Sequence, residues 1–521
     1  MSSHSRRTFL GVTAGLAGAL SVPGLLADSA SATKIDVAVV GGGMSGLYCA
    51  MRLKSAGFNV ALFEASDRVG GRILSVFLPG VTEHAAEIGA MRLRDTDTVE
   101  IKLIDSLLGP VAKVPFDFPT RQWFLRDRIL RSLKDPSQLP YRLDPSERAI
   151  IKSGKNLLVE TIREIADSER LADFPSAVDQ GVWEQVIKIR SEEGRNFIVD
   201  SNGYSTLTSN WNVAAALPWF EEDFAPDTNY FQVAGGLERL PSAMASAYSD
   251  QGGVTYLQHH LHALQETNNG QKVLTFNATA GPRQFVANRV ILAMTPAALE
   301  QLDPASYILQ DKRFQAALMG VVRNPLAKIH LTFQSPWWLN PDLGKSRTVT
   351  DLPTRQTYLW GEESGGGTGL TMASFHDGTA IDFWSALATG EAYGPANWID
   401  QARGVDGSPL PASLRRSLPI SRIMALEIWD QLQTVYGLPR DTAPPLLGTY
   451  RNWGSDPLYG AAMHLWAVGT DAEQTMRYMR EPFPGVHVCG EAWSREQGWV
   501  KGATSTAEAV LRDRFKLPSY T

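Results

Sequence analysis

The sequence predicts an α/β fold built around a parallel sheet, with insertions that contain both helices and further strands. A short run of β-branched and apolar residues at 34–40 leads into Gly41-Gly42-Gly43-Met44-Ser45-Gly46, and a helical pattern follows over 47–55. A second apolar run at 59–63 ends at Glu64. A strand, a glycine-rich turn, a helix and a second strand that ends in an acid together predict a Rossmann-type βαβ unit.

The glycines of this G-x-G-x-x-G motif have separate predicted roles. Gly41 permits the tight turn, Gly43 lets the backbone approach a pyrophosphate, and Gly46 lets the helix pack closely on the strand. The positive N-terminal end of the helix faces the phosphates, and Glu64 accepts hydrogen bonds from a ribose diol. We therefore predict a dinucleotide site that includes Gly41, Gly43, Met44, Ser45, Gly46, Glu64 and Ala65.

The composition is that of a globular protein and excludes several other classes. The 521 residues are 44% hydrophobic and 20% charged, which excludes disorder, collagen and coiled coil for the whole chain. A formal net charge of −6 provides no broad basic surface for nucleic acid. The two cysteines, Cys49 and Cys489, cannot form a disulfide framework, and no metal site is predicted.

The first 32 residues have the pattern of an export signal. The twin-arginine sequence Ser5-Arg6-Arg7-Thr8-Phe9-Leu10 precedes a weakly apolar run over 11–26 and an A-x-A cleavage pattern at 30–32. Pro23 and four glycines make that run a poor spanning helix, although a membrane anchor is the alternative. We therefore expect export by the Tat route to the periplasm or the medium, without stable membrane insertion.

Two further motifs separate FAD from NAD, which share the βαβ unit. Asp67-Arg68-Val69-Gly70-Gly71-Arg72 follows Glu64, and near the C-terminus Gly490-Glu491 and Gly498-Trp499-Val500 precede a final helical pattern through Leu511. These motifs resemble those of the flavin-dependent amine oxidase family. The resemblance implies that FAD is the cofactor, that the first motif follows its pyrophosphate and flavin, and that the last helix begins at the flavin. Because no cysteine lies between Cys49 and Cys489, we expect FAD to bind non-covalently.

A motif after the nucleotide-binding strands identifies a branch of that family. Glu87-Ile88-Gly89-Ala90-Met91-Arg92 resembles the L-amino-acid oxidases, in which this arginine binds the substrate carboxylate. The planar guanidinium suits that role because it holds a carboxylate through two hydrogen bonds. Simple amines have no carboxylate, so Arg92 distinguishes the branches, unless it forms a structural ion pair instead.

The resemblance adds residues from three other places. Lys328 lies in an apolar run at 324–333 and is implied to hold a water beside the flavin and to assist the reaction with oxygen; a surface lysine is the alternative. The string 350–358 resembles one that ends in two tyrosines, one of which binds the carboxylate, but this chain has Tyr358-Leu359, so that role is open. Gly498 and Trp499 are implied to lie beside the substrate amino group and the flavin.

The resemblance implies oxidative deamination of an L-amino acid by FAD and oxygen to a 2-oxo acid, ammonia and hydrogen peroxide. Arg92, Lys328 and Trp499 are the predicted catalytic residues, and Arg92, Tyr358, Gly498 and Trp499 are predicted to bind the substrate. The predicted cofactor contacts beyond the first motif are Arg68, Gly71, Arg72, Gly89, Ala90, Met91, Arg92, Leu261, Gly490, Glu491, Gly498, Trp499 and Val500.

Other functions remain open on the same fold. They are an amine or polyamine oxidase, a decarboxylating amino-acid monooxygenase and a non-catalytic flavin-binding protein. Abundant tryptophan and tyrosine favour large apolar or aromatic substrates, whereas an acid from 219–223 at the entrance would favour arginine or lysine. The family further implies a homodimer.

The expected domain organisation is interleaved along the chain. Residues 33–75, 236–297 and 475–521 are assigned to the FAD-binding domain, and residues 76–119 and 298–474 to a mixed-sheet substrate domain. Residues 120–235 are assigned to a helical subdomain that frames the entrance, because apolar residues recur there at helical spacing, as in 157–165.

Overall fold

The computed structural model describes residues 35–168, 177–209, 211–223, 228–339, 342–363 and 367–521, so the twin-arginine segment lies outside the described residues. The strands are β1 Ile35–Val40, β2 Val60–Phe63, β3 Ser75–Val76, β4 Ala86–Glu87, β5 Leu93–Arg94, β6 Lys113–Pro115, β7 Thr120–Leu125, β8 Arg128–Leu130, β9 Tyr230–Val233, β10 Val254–Tyr256, β11 His259–Glu266, β12 Lys272–Ala278, β13 Gly281–Leu292, β14 Val321–Asn324, β15 Leu326–Phe333, β16 Ser346–Thr350, β17 Gln356–Glu362, β18 Gly369–Asp377, β19 Leu447–Asn452, β20 Met463–Trp466 and β21 Val486–Val488.

The helices are α1 Met44–Ser55, α2 Thr98–Leu107, α3 Pro145–Lys152, α4 Leu157–Ala166, α5 Val182–Ile189, α6 Glu192–Asn202, α7 Val213–Asp223, α8 Arg239–Asp250, α9 Pro296–Glu300, α10 Lys312–Met319, α11 Thr379–Ala386, α12 Ala412–Ser417, α13 Arg422–Tyr436, α14 Ala472–Met479 and α15 Val500–Phe515. Short 3₁₀ segments occur at Pro110–Ala112, Thr206–Thr208, Tyr307–Gln310, Trp398–Gln401 and Glu491–Trp493. No helix in the described ranges is both long enough and apolar enough to cross a bilayer.

The nucleotide-binding sheet has the order β10-β2-β1-β13-β12-β11, and β21 also pairs with β13. The pairings of β10 with β2, β2 with β1, β1 with β13 and β13 with β21 are parallel, while β11, β12 and β13 are antiparallel. Val37 and Val39 of β1 pack into one apolar cluster, and Ala38 and Val40 pack into another on the opposite face. Burial on both faces explains why this strand is a continuous apolar run.

Both ends of the described chain contribute to this domain. Strand β21 lies beside β13 through the register Val290 to Val486, Ile291 to His487 and Leu292 to Val488. Helix α15 packs on α1, where the Tyr48 hydroxyl donates to Glu508 at 2.5 Å and Arg52 pairs with the same carboxylate at 3.0 Å. The first and last parts of the chain therefore form one nucleotide-binding unit.

The second large sheet has the order β19-β15-β18-β17-β16-β7-β8. Its β16–β7 pairing is parallel and its other pairings are antiparallel, so it is the predicted mixed sheet. The apolar run 324–333 is not one strand, because β14 ends at Asn324 and β15 begins at Leu326. Pro325 lies between them and has no N–H for a strand ladder.

The range assigned to a helical subdomain contains helices only in its middle part. Helix α4 coincides with the predicted periodic segment and is capped by the Asn156 side chain. At the start of the range, however, β7 and β8 form a hairpin of the mixed sheet, joined by Arg126 and Asp127 with φ of 49° and 61°. Two such residues fit the tight turn that matches the twist of a hairpin. At the end of the range, β9 pairs with β5 and β6 in a separate small sheet.

Candidate active site

A cavity of about 610 Å³ lies where the nucleotide-binding and mixed sheets meet the helical segments. All of the residues predicted for the site line this cavity, except Gly46 and Arg68. Gly46 lies below the first turn, where an added Cβ would overlap the Gly41 carbonyl oxygen. The Arg68 guanidinium pairs with Glu238 at 2.9 Å and donates to the Val69 and Ile73 carbonyls, so it shapes the second glycine turn.

The two glycine turns lie directly beside each other in the wall of the cavity. Gly41 has φ of +107°, and an added Cβ would overlap the Ala293 carbonyl oxygen. A Cβ on Gly43 would instead meet only the Gly71 Cα, at 3.8 Å. The Gly70 N–H donates to the Gly42 carbonyl at 2.8 Å and holds the turns in register. The space beside Gly43 and Gly71 therefore admits a close approach to the backbone, as the pyrophosphate of a dinucleotide requires.

Two helices begin at this cavity without a side-chain cap. Helix α1 follows Gly43, which has no side chain, and α15 follows Trp499, whose side chain makes no capping hydrogen bond. Met44, Ser45 and Val500, in the first turns, line the cavity. First-turn N–H groups without capping partners and the positive helix end favour negative charge. These two helix ends, together with the opposed glycines, fit a cofactor that carries phosphate and a reducible, anion-forming ring.

Glu491 connects several segments of the cavity wall. Its carboxylate accepts from Arg72 at 2.8 Å, from the Gly498 N–H at 2.7 Å, and from the His464 N–H and Nδ1 at 2.9 Å each. Burial opposes its ionisation, but Arg72 and His464 outweigh burial and lower the pKa of Glu491 to about 2. The Glu491 carboxylate therefore holds Arg72 and the Gly498 backbone in place. Its position beside the cofactor stays a prediction.

Arg92 lies in an aromatic part of the wall. Its guanidinium carbon is 4.6 Å from the Tyr230 ring centroid, 5.5 Å from that of Phe116 and 5.8 Å from that of Trp499. Tyr230 stacks on Trp499 with centroids 5.9 Å apart and an interplanar angle of 13°. Aromatic faces stabilise a cation and restrict its orientation. The half-buried guanidinium is therefore held in the wall of the cavity.

Trp219 and Phe220 line the cavity, whereas Glu221 and Glu222, the described acidic side chains of the 219–223 run, do not. Glu222 pairs with Lys501 at 2.7 Å and with Arg94 at 3.5 Å. Arg94 in turn lies 4.4 Å from the Trp499 ring centroid. Glu222 therefore supports the aromatic wall, and the selection of arginine or lysine by an acid of this run stays a prediction.

Lys328 is buried, which excludes a surface lysine. Its Nζ donates to the carbonyl oxygens of Glu87 at 3.0 Å and Gly89 at 2.5 Å, in the segment that ends at Arg92. Burial lowers the pKa of Lys328 to about 7; the Glu87 carboxylate opposes this shift and Arg92 adds to it. Burial raises the pKa of Glu87, also to about 7, although its hydrogen bonds with Ser75 and Leu237 and the nearby Lys328 charge oppose the rise.

Tyr358 faces the cavity, whereas Leu359 packs in the apolar cluster on the other face of the mixed sheet. The Tyr358 hydroxyl donates to Gln356 Oε1 at 3.2 Å. The sequence interpretation missed several neighbouring wall residues, which are Phe116, Asn202, Tyr204, Thr206, Arg347 and Phe375. His259 and His260 line the cavity as well, and the described residues contain no group of three His, Cys, Asp or Glu placed to hold a metal ion.

A known protein family matches most of the chain. The family model for flavin containing amine oxidoreductases matches residues 44–393 and 423–510, which include the second glycine turn at Gly70-Gly71, Arg92, Lys328 and the uncapped start of α15. The chain belongs to the flavin containing amine oxidoreductase family. The family is flavin-containing, which supports the predicted flavin cofactor, and the predicted fold class is confirmed.

Relatives within the amine oxidoreductases cover most of the chain. Aplysianin-A of Aplysia kurodai is 26% identical over 92% of this chain and 90% of its own length, and achacin of Lissachatina fulica is 27% identical over 92% and 93%. An L-amino-acid oxidase of Sistrurus catenatus edwardsii is 25% identical over 67% of this chain and 68% of its own.

Solved structures of amine oxidoreductases share the fold. A putrescine oxidase bound to putrescine has a TM-score of 0.67 at 19% identity, covering 93% of this chain and 99% of that one. The cyclohexylamine oxidase of Brevibacterium oxydans IH-35A also has a TM-score of 0.67, at 18% identity, covering 92% and 99%.

Proposed function

We propose that this protein is an L-amino-acid oxidase that binds FAD non-covalently. The observation that carries the proposal is the Arg92 guanidinium, held among Tyr230, Phe116 and Trp499 in the wall of the flavin cavity. A guanidinium at this place can bind the α-carboxylate of an amino acid, a group that a simple amine lacks. The relatives named L-amino-acid oxidase support the same conclusion.

The two uncapped helix ends provide most of the contacts that we propose for FAD. The first-turn N–H groups of α1, beside Gly43 and Gly71, would bind the pyrophosphate, and Glu64 would accept from the adenosine ribose. The first turn of α15 would face the flavin. The flavin, when bound, accepts two electrons and a proton equivalent from the substrate and passes them to oxygen. Neither Cys49 nor Cys489 lines the cavity, which supports non-covalent binding.

Substrate binding is assigned to the aromatic part of the wall around Arg92. Arg92 would hold the carboxylate through two parallel hydrogen bonds and so orient the Cα–H bond. The aromatic rings of Tyr230 and Trp499 exclude water from the amino group, and desolvation lowers the pKa of an amine so that it becomes neutral. In its protonated form, Lys328, which is fixed by two carbonyl oxygens, would stabilise negative charge that develops on oxygen.

The proposed reaction balances as one amino acid, one oxygen and one water giving one 2-oxo acid, one ammonium and one hydrogen peroxide. The Cα–H and N–H bonds of the substrate are lost and an imino acid forms. Water then adds to the imino carbon, and ammonia leaves. Oxygen receives the two electrons and becomes peroxide.

The test is a screen of the purified protein with the L-amino acids and their corresponding amines. We expect anaerobic bleaching of the flavin by L-amino acids, and, in air, peroxide and 2-oxo acid in equal amounts. Oxidation of amines alone would contradict the proposal, as would an amide product with carbon dioxide. Acid precipitation should leave the flavin in the supernatant if it is non-covalent.

We also propose export through the twin-arginine segment and assembly as a homodimer, both of which stay predictions. Replacing Arg6 and Arg7 by lysine should retain the protein inside the cell, as measured by fractionation of the producing strain. Light scattering of the purified protein tests the dimer.

A further inference from the structure

A second arginine, Arg347, lies in the cavity wall and has no role in the function proposed above. It is on β16, directly opposite Tyr358 of β17 in the antiparallel register. Directly opposed residues of such a pair point to the same face. The Arg347 guanidinium carbon is 5.9 Å from the Tyr358 ring centroid, and both residues line the cavity.

The contacts of Arg347 leave part of its guanidinium unused. Its Nη2 donates to the carbonyl oxygen of Asn202 at 2.9 Å, and Asn202 is the last residue of α6. The negative end of that helix favours a cation at this place. The buried Nε has no hydrogen-bond partner, and the ion pairs among the described residues include none to Arg347. The Nη1 group has no hydrogen bond among the described residues and is not enclosed as Nε is, so it can donate to an acceptor on a ligand.

The charges around the substrate region are positive. Phe116 and Tyr358 are neighbouring rings with centroids 6.0 Å apart, and Arg92 lies beside the first and Arg347 beside the second. Burial and the neighbouring Tyr358 raise the pKa of Tyr204 to about 12, while the charges of both arginines oppose that rise.

The carboxylates of the described wall do not offset these charges. They belong to Glu64 and Glu491. Glu64 accepts from the Gly42 N–H at 2.6 Å and from Ser66, and Glu491 is bound to Arg72 and His464. The positive charge of the substrate region thus exceeds what the single carboxylate bound by Arg92 would neutralise.

We propose that Arg347 binds the side-chain carboxylate of an acidic L-amino acid, glutamate or aspartate, and so determines the specificity of the site. The inference rests on the proposed function, because Arg92 takes the α-carboxylate. It excludes lysine and arginine as good substrates, since their side-chain cations would face an uncompensated guanidinium.

The test compares near-isosteric substrates with the full-length flavin-loaded protein. The wild type should oxidise L-glutamate or L-aspartate with a higher kcat/KM than L-glutamine or L-methionine. Arg347→Gln should lower kcat/KM for the acidic substrate by about 30-fold or more, and should change that for L-methionine little. Arg347→Lys should restore part of the loss, because it keeps the charge without the fork. Arg440→Gln, at an exposed arginine outside the cavity wall, is the matched control.

A binding measurement on the wild type keeps the inference testable if the variants fail to fold. Glutarate has two carboxylates, and pentanoate has the same number of carbons but one. Glutarate should inhibit competitively at a lower concentration than pentanoate and should raise Tm more.

Three results would overturn the inference: equal inhibition by these two acids, equal loss for all substrates in Arg347→Gln, or a wild type that prefers L-methionine. In each case, oxidation of any L-amino acid leaves the proposed function standing. If no L-amino acid is oxidised, both fail.

Discussion

Replacing Gly43 by alanine separates the binding role of one glycine from the packing role of its neighbours. Gly43 has φ of −78°, which any residue adopts, and its added Cβ would meet only the Gly71 Cα, at 3.8 Å. The apoprotein should therefore keep its free energy of unfolding or gain ~0.4–1 kcal/mol, because alanine reduces the entropy of the unfolded chain. The methyl group would, however, occupy the space in which the pyrophosphate is proposed to approach the backbone.

The expected loss of FAD affinity follows from the hydrogen bonds at stake. A hydrogen bond to a charged group contributes about 1.5–3 kcal/mol, so displacement of the pyrophosphate from one such bond raises the Kd for FAD by about 10–150-fold. The matched control is Gly46→Ala, whose Cβ would overlap the Gly41 carbonyl oxygen and lie 3.2 Å from the Ala293 Cβ. That overlap costs ~1–3 kcal/mol of folding free energy in the absence of any cofactor.

The assay uses apoprotein from which the flavin has been removed. Urea unfolding measures stability, and quenching of flavin fluorescence measures the Kd. Wild-type FAD affinity in Gly43→Ala would refute the proposed approach at this glycine. A loss of apoprotein stability equal to that of Gly46→Ala would refute the geometry from which the prediction is drawn.

Four further predictions concern the charged residues of the site. Arg92→Met should lower kcat/KM for L-amino acids by about 30-fold or more but spare the corresponding amines, as measured by oxygen consumption; equal losses would contradict a carboxylate role. Lys328→Met should slow reoxidation of the flavin by oxygen more than its anaerobic reduction, and stopped-flow traces with the opposite order would reject the assignment. Burial lowers the pKa of Lys328 from 10.5 to about 7, so between these values the unfolded chain binds a proton that the folded chain does not. The free energy of unfolding should therefore rise with pH in that window, and denaturant titrations should show a flatter rise in Lys328→Met. Glu491→Gln leaves the Arg72 charge without its partner and should destabilise the protein by ~3–5 kcal/mol, visible as a lower Tm; an unchanged Tm would show that the pair contributes little.

Local patterns predicted the parts of the fold that form from consecutive residues. The interpretation of 34–40, 47–55 and 59–63 as strand, helix and strand matches β1, α1 and β2 to within three residues at each end. The reason is physical, since β1 is buried on both faces and the glycines enforce one turn geometry. The same holds for α4, whose apolar spacing and cap lie within a dozen residues.

Features that depend on pairing between strands far apart along the chain could not be predicted from the sequence. Arg347 enters the cavity because β16 pairs with β17, and it meets Asn202, which is 145 residues away along the chain. Nothing in the residues around either position signals that contact. The hairpin β7–β8 lies at the start of the range predicted to be helical, and the partner strand β16 that draws it into the mixed sheet is more than 200 residues later.

The position of β21 and α15 has a consequence for how the protein is made. Strand β21 pairs with β13, which pairs with β1, and α15 covers α1. While the ribosome is still translating residue 480, the nascent chain lacks one wall of the flavin cavity. Uptake of the cofactor must then wait until β21 and α15 have been synthesised, and a variant truncated after residue 480 should yield a colourless product however well the earlier part of the chain is synthesised.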